Sequence, residues 1–122
     1  MDDQKRMFHQ MTDPADSTQA RLAALRQEFA DKLPQRMATI EAAHAAWREC
    51  GDATFLNEYH RLVHSLTGAG ATFGYERVSQ CARHLEGYLK QLIDAGDESV
   101  AEQFHEAAAL LDEVRAEVLR AC

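Results

Sequence analysis

Apolar residues recur along this chain at spacings of three and four, the pattern of helices with one buried face. Four such segments follow one another, from Leu22 to Trp47, Phe55 to Phe73, Val78 to Ile93 and Val100 to Val118. Each apolar stripe has to be buried against another element. The pattern therefore predicts an all-α fold, an antiparallel four-helix bundle with up-down-up-down connections and an N-terminal helical extension.

Capping residues and glycines indicate where these helices begin and end. Asp13 followed by Pro14 is typical of a helix start, and Pro34 either kinks the first helix or divides it in two. The stretch "ECGD" ends that segment, and Asp52 caps the next helix. A turn is expected around Gly74, and "AGDES" should end the third helix and cap the fourth with acidic residues.

A chain of 122 residues fits one domain, and its composition favours helix over sheet. We expect residues 13–122 to form the bundle and residues 1–12 to be an arm or a short extra helix. In the second helix, the stripe expected to face the core consists of Phe55, Tyr59, Leu62, Val63, Leu66 and Phe73.

Charge and targeting signals narrow the classes of function. The net charge is −7, and the 13 lysines and arginines are scattered among acidic residues, so binding to the phosphate backbone of nucleic acid is not expected. The sequence has neither a run of about 18 apolar residues nor a signal peptide, which predicts a cytoplasmic protein without a membrane span. Three widely spaced cysteines suit a reducing compartment.

The second helix carries two histidines away from its apolar stripe. His60 and His64 lie one turn apart, Gly68 follows one turn later on the same face, and Ala71 lies beyond it. Glycine in a helix costs about 1 kcal/mol relative to alanine, so Gly68 indicates that something bulky approaches His64 closely. For the other histidines a solvated surface position is the expectation; these are His9, His44, His84 and His105.

Two pairs of residues resemble parts of known metal sites. Glu41-Ala-Ala-His44 matches the Glu-x-x-His pattern of di-iron bundles, but di-iron sites need this pattern twice. Two imidazoles one turn apart, as in His60 and His64, could share a zinc or nickel ion. Neither pattern is complete, and we expect no metal ligands.

The segment "HSLTGAGATFGYERVSQCARHLE", residues 64–86, resembles the histidine-containing phosphotransfer (HPt) domain of multistep phosphorelays. That family has a histidine, an apolar residue two later, lysine three later, glycine four later and a second glycine six beyond that. The next helix then carries a Leu-Glu or Leu-Gln pair. In this sequence the corresponding residues are His64, Leu66, Thr67, Gly68, Gly74 and Leu85-Glu86.

The resemblance implies a chemical role for these residues. The Nε2 atom of His64 would accept a phosphoryl group from an aspartyl phosphate on a receiver domain and pass it to another receiver. Glu86 would accept a hydrogen bond from Nδ1 and so fix the tautomer. Gly68 would leave room for the receiver, and the rest of the docking surface would be formed by His60, Ser65 and Ala71.

The implied partners are receiver domains of response regulators or of hybrid histidine kinases. The chain needs no cofactor of its own, since magnesium is expected on the receiver. It has no ATP-binding module, so we expect a phosphocarrier without kinase activity. We expect it to be a monomer.

One position departs from the family pattern. Thr67 stands where the family has lysine, so it could donate one hydrogen bond to the phosphoryl group but supplies no positive charge. Arg61 or Arg83 could replace that charge, or both could be solvated surface residues.

Two other functions remain open. The bundle could dock receivers without transferring phosphate, for which Thr67 is the supporting feature. It could also be an enzyme or metal protein, on the strength of His60 with His64 and of Glu41 with His44.

Overall fold

The computed structural model describes residues 14–96 and 101–122. Within them the chain forms four α-helices, α1 (Pro14–Cys50), α2 (Ala53–Thr72), α3 (Glu76–Ala95) and α4 (Ala101–Ala121). Helices that are consecutive in the chain pack against each other, and α1 also packs against α4. The predicted all-α four-helix bundle is confirmed. The predicted N-terminal arm, residues 1–12, lies outside the described residues, and so does Val100.

The predicted helix boundaries agree with the structure. Helix α1 begins at Pro14 and continues through Pro34 as one helix, so the proline does not divide it. The Thr54 amide donates to the Asp52 side chain at 2.8 Å, which caps α2. Positive φ angles of 82° at Gly74 and 65° at Gly96 let the chain turn after α2 and end α3. The acidic cap expected for α4 lies in residues 97–100, outside the described part.

The core consists of one cluster of apolar side chains contributed by all four helices. Trp47, Tyr59, Leu85 and Leu89 are completely buried in it. The predicted stripe of α2 was wrong at Phe55, which is 38% exposed, whereas Leu56 is buried. Leu56, Tyr59 and Val63 follow one another at helical spacing, so the centre of the buried stripe runs through these three residues. Phe55 therefore lies at the edge of the stripe.

Helices α2 and α3 approach closely near the turn that joins them. A Cβ atom on Gly70 would lie 3.3 Å from both the backbone nitrogen and the Cβ of Ser79. The Ser79 hydroxyl also donates to the Thr67 carbonyl at 2.8 Å. This contact fixes the register of the two helices and sets His64 of α2 opposite Glu86 of α3.

Helix α1 is much longer than the other three. Its 37 residues span about 55 Å at about 1.5 Å per residue, against about 30 Å for α2 or α3. The Tyr75 hydroxyl, in the turn between α2 and α3, donates to the Arg26 carbonyl. Residues 17–28 are exposed, and burial begins at Phe29, so the first turns of α1 extend beyond the bundle. None of the helices in the described part is long and apolar enough to cross a membrane.

Candidate functional site

His64 lies on the outward face of α2, and its side chain is 70% exposed. Its Nδ1 atom forms a hydrogen bond with Oε1 of Glu86, whose side chain is only 18% exposed. An ionised carboxylate can only accept, so in this pair Nδ1 carries the proton. The Nε2 atom is the ring nitrogen that this hydrogen bond leaves unengaged. The site therefore combines an exposed imidazole with a largely buried carboxylate that holds its ring in place.

The space beside the imidazole is open. No atom of the residues that the structure describes lies within 4 Å of the position that a Cβ on Gly68 would occupy, apart from its own helix backbone and chain neighbours. Gly70, two residues later, differs because it is packed against Ser79. Packing within the described chain therefore explains Gly70 but does not explain Gly68.

A second glycine of this kind occurs next to Glu86. Gly87 lies inside helix α3, is exposed, and has open space where its Cβ would be. Gly87 was not included in the sequence analysis, although a glycine within an amphipathic helix often has a packing or functional reason.

The predicted docking residues surround His64 on α2. His60 is half-buried, and its ring is nearly parallel to that of His64, with the centroids 6.2 Å apart. Ser65, Gly68 and Ala71 are exposed. The face around the imidazole thus consists mainly of small side chains.

The side chain of Thr67, which we expected beside the phosphoryl group, is turned inward in the structure. It is 7% exposed, and its hydroxyl donates to the Val63 carbonyl at 3.1 Å. Its short side chain turns into the contact between α2 and α3, where a lysine could instead extend to the surface. In this conformation the Thr67 hydroxyl donates to the backbone of its own helix.

The two arginines considered as replacements for lysine differ in their surroundings. The Arg61 guanidinium donates two hydrogen bonds to the Glu58 carboxylate, and the bond from its Nε is 2.9 Å long. Arg61 therefore points toward the preceding turn of α2, away from His64. This pairing raises the pKa of Arg61 and lowers that of Glu58. Arg83 is exposed on α3, one turn before Glu86, and forms no hydrogen bond or ion pair with the described residues. Of these two arginines, Arg83 is therefore the one whose guanidinium is not paired within the described residues.

His44 is not the solvated surface residue that we expected. It is half-buried, and its Nδ1 lies 3.2 Å from the hydroxyl oxygen of Tyr59. Burial, and then the charges of Arg48 and Arg115, lower the pKa of His44, while Asp112 opposes them. His84 and His105 are exposed, as expected, and His9 lies outside the described residues.

The residues considered for metal binding either contact other side chains or form an incomplete set of ligands. Glu41 accepts a hydrogen bond from Arg115, so it does not form a free ligand pair with His44. Across residues 14–96 and 101–122, no group of three or more histidine, cysteine, aspartate or glutamate side chains is arranged to hold a metal ion.

Comparison with family models gives one finding, a match of residues 24–117 to the Hpt domain. The matched segment includes the whole of α2 and α3, and with them His64, Gly68 and Glu86. Comparison with curated proteins and with solved structures gives no significant match.

Proposed function

The chain belongs to the Hpt domain family, whose role is phosphotransfer in phosphorelays, and we propose that His64 is the residue that carries its phosphoryl group. The partner on each side of the transfer is the receiver domain of a response regulator or of a hybrid histidine kinase. The observation that supports this most strongly is the exposed His64 ring whose Nδ1 is bonded to Glu86.

The transfer step follows from this hydrogen bond. The lone pair on Nε2 attacks the phosphorus of the receiver's aspartyl phosphate. The bond between phosphorus and the carboxylate oxygen breaks, and the carboxylate keeps the electron pair. The imidazole ring then bears a positive charge with its proton still on Nδ1, and the Glu86 carboxylate stabilises that charge through the hydrogen bond. Return transfer to a second receiver reverses these bond changes.

Charge on the phosphoryl oxygens has to be stabilised as well. Thr67 is turned into the bundle and Arg61 is held by Glu58, so Arg83 is the side chain of this chain that we assign to the task. The receiver supplies the rest, because the magnesium ion and the acidic residues that bind it belong to the receiver. Phosphoryl transfer depends mainly on positioning and electrostatic stabilisation, so few catalytic side chains are needed here.

The experiment that tests the proposal is transfer of radiolabelled phosphate from a phosphorylated receiver domain. We expect label on this chain that is stable to base and labile to acid, as phosphohistidine is. His64→Gln should abolish the label, whereas His60→Gln and His84→Gln should retain it. Label that persists in His64→Gln would contradict the assignment.

One specific observation favours a second function. The position of the family's lysine is occupied by the buried Thr67, so the chain lacks a cation there. A bundle that docks receivers without accepting phosphate would fit this feature. That function predicts receiver binding with no label on His64, which the same experiment distinguishes from transfer.

A further inference from the structure

The rings of His60 and His64 lie one above the other on the same face of α2. Their planes differ by 14°, and their centroids are 6.2 Å apart. Apart from this ring contact and the bond from His64 to Glu86, neither imidazole forms a hydrogen bond or ion pair within the described residues. The transfer step uses Nε2 of His64 but gives the imidazole of His60 no chemical part.

The separation of the two rings suits a shared metal ion. A zinc–nitrogen bond is about 2.0–2.1 Å long and the ring centre lies about 1.1 Å beyond the nitrogen, so two imidazoles on one ion have centroids at most about 6.4 Å apart. Tetrahedral coordination brings the centroids to about 5 Å. The His60 ring therefore has to approach that of His64 by about 1 Å, and no hydrogen bond to the described residues restrains it.

Glu86 contacts His64 in the way that a carboxylate supports a metal-bound histidine. Such a histidine almost always donates its second ring N–H to a carboxylate, a carbonyl or water, which orients the ring and makes the ligating nitrogen more basic. In the structure Nδ1 of His64 is bonded to the largely buried Glu86, and Nε2 is unengaged. Because Glu86 lies on another helix, the spacing of the two histidines in the sequence did not reveal this support.

The space beside His64 admits an ion together with its water ligands. Gly68 has no side chain one turn after His64, and outside its own helix backbone and chain neighbours no described residue lies within 4 Å of where its Cβ would be. Two protein ligands leave the other coordination positions to water. Imidazole suits late transition metals, whereas magnesium prefers oxygen ligands, and zinc imposes no geometry of its own through d electrons.

We propose that His60 and His64 bind a zinc ion through their Nε2 atoms and that the bound ion prevents phosphorylation of His64. A nitrogen lone pair donated to zinc is not available to attack phosphorus. The reverse also holds, because a phosphoryl group on Nε2 excludes the ion. Zinc binding follows from the geometry of the pair, whereas the block on phosphorylation rests on the proposed function.

Zinc binding is measured by isothermal titration calorimetry of the full-length chain after removal of metal. The variants are His60→Gln and His64→Gln, and the matched control is His84→Gln, which removes an exposed histidine outside the pair. The affinity of the tightest site should fall at least about tenfold in each variant of the pair and stay unchanged in the control, since loss of one ligand leaves a single imidazole. Magnesium should not bind at the same concentrations.

Heteronuclear NMR of the chain labelled with ¹⁵N identifies the ligand atoms in the same titration. The Nε2 signals of His60 and His64 should shift with zinc, while Nδ1 of His64 keeps its proton. Equal affinity in His60→Gln and the unmodified chain, an equal loss in His84→Gln, or shifts confined to other histidines would overturn the inference.

Phosphorylation by phosphoramidate, a small donor that needs no receiver, tests the block. Each form of the chain is compared with itself with and without zinc, so a change in its basal rate does not matter. At free zinc about ten times the dissociation constant of the unmodified chain, its phosphorylation should slow about tenfold and recover with a chelator, and that of His60→Gln should slow less than about twofold. Equal slowing of both forms would contradict the shared site.

The two parts of the experiment separate this inference from the proposed function. If the unmodified chain accepts no phosphate on His64 from phosphoramidate or from a receiver in the absence of zinc, the proposed function fails. If His64 is phosphorylated and zinc neither binds the pair nor slows the reaction, only the zinc inference fails.

Discussion

Gly68 offers a prediction in which stability and activity move in opposite directions. Glycine inside a helix costs about 1 kcal/mol relative to alanine, and a Cβ at this position would meet none of the described residues within 4 Å. Gly68→Ala should therefore raise the free energy of unfolding by about 1 kcal/mol, or the melting temperature by about 4 °C for a domain of this size. Gly68→Gln should raise it by about half as much, since glutamine is also a good helix former.

Phosphotransfer should respond in the other direction. The receiver has to bring its phosphorus to about 3–3.5 Å from Nε2, and a displacement of about 1 Å can cost a factor of about 100 in rate. A glutamine side chain on Gly68 occupies the space one turn from His64 through which the receiver approaches. We expect Gly68→Gln to transfer phosphate about 100-fold more slowly and Gly68→Ala to fall between it and the unmodified chain.

Urea unfolding followed by circular dichroism measures the stability of these variants, and rapid-quench transfer from a labelled receiver measures their rates. Gly70→Leu is the control, because Gly70 is packed against Ser79, and it should lose about 1–3 kcal/mol of stability through overpacking. Transfer by Gly68→Gln at the unmodified rate would refute the argument that this glycine serves receiver approach. Lower stability in Gly68→Ala would refute the open space assigned to it.

Three further predictions concern single side chains. Glu86→Gln keeps an acceptor for Nδ1 but removes the charge that stabilises the phosphorylated ring, so transfer measured by rapid quench should slow by about tenfold; an unchanged rate would remove Glu86 from the mechanism. Arg83→Ala should slow transfer by about tenfold and Arg61→Ala by less than twofold, and the reverse order would show that the Glu58 pair opens to release Arg61. Burial lowers the pKa of His44 in the folded chain, so below about pH 6.5 this side chain binds more protons in the unfolded chain than in the folded one. The free energy of unfolding should therefore decrease as the pH falls from about 7 to about 5. His44→Gln should weaken this dependence in urea titrations, and an identical pH profile would contradict it.

The helices and their boundaries were predictable because their signals are local. Pro14, Asp52, Gly74 and Gly96 act on the backbone within a few residues of themselves, and each lies where the sequence placed a boundary or a turn. Apolar spacing predicted most of the core for the same reason. It failed at Phe55, where two adjacent apolar residues left the phase of the stripe open and packing against other helices selected Leu56.

The site was predictable only in part, because it depends on contacts between helices. The resemblance implied the pairing of His64 with Glu86, and the structure contains that hydrogen bond. Sequence reasoning could not show that Thr67 turns inward, since a threonine at the edge of a stripe suits either side. It also missed the burial of His44, which depends on Tyr59, a residue of another helix.

The central claim is that phosphate resides on the Nε2 atom of His64 while Nδ1 keeps its hydrogen bond to Glu86. Heteronuclear NMR of the chain labelled with ¹⁵N and phosphorylated by its receiver tests this directly, since coupling between phosphorus and nitrogen identifies the bonded atom. We predict coupling to Nε2 of His64 alone and a proton retained on Nδ1. Coupling to Nδ1, or to any other histidine, would contradict the account.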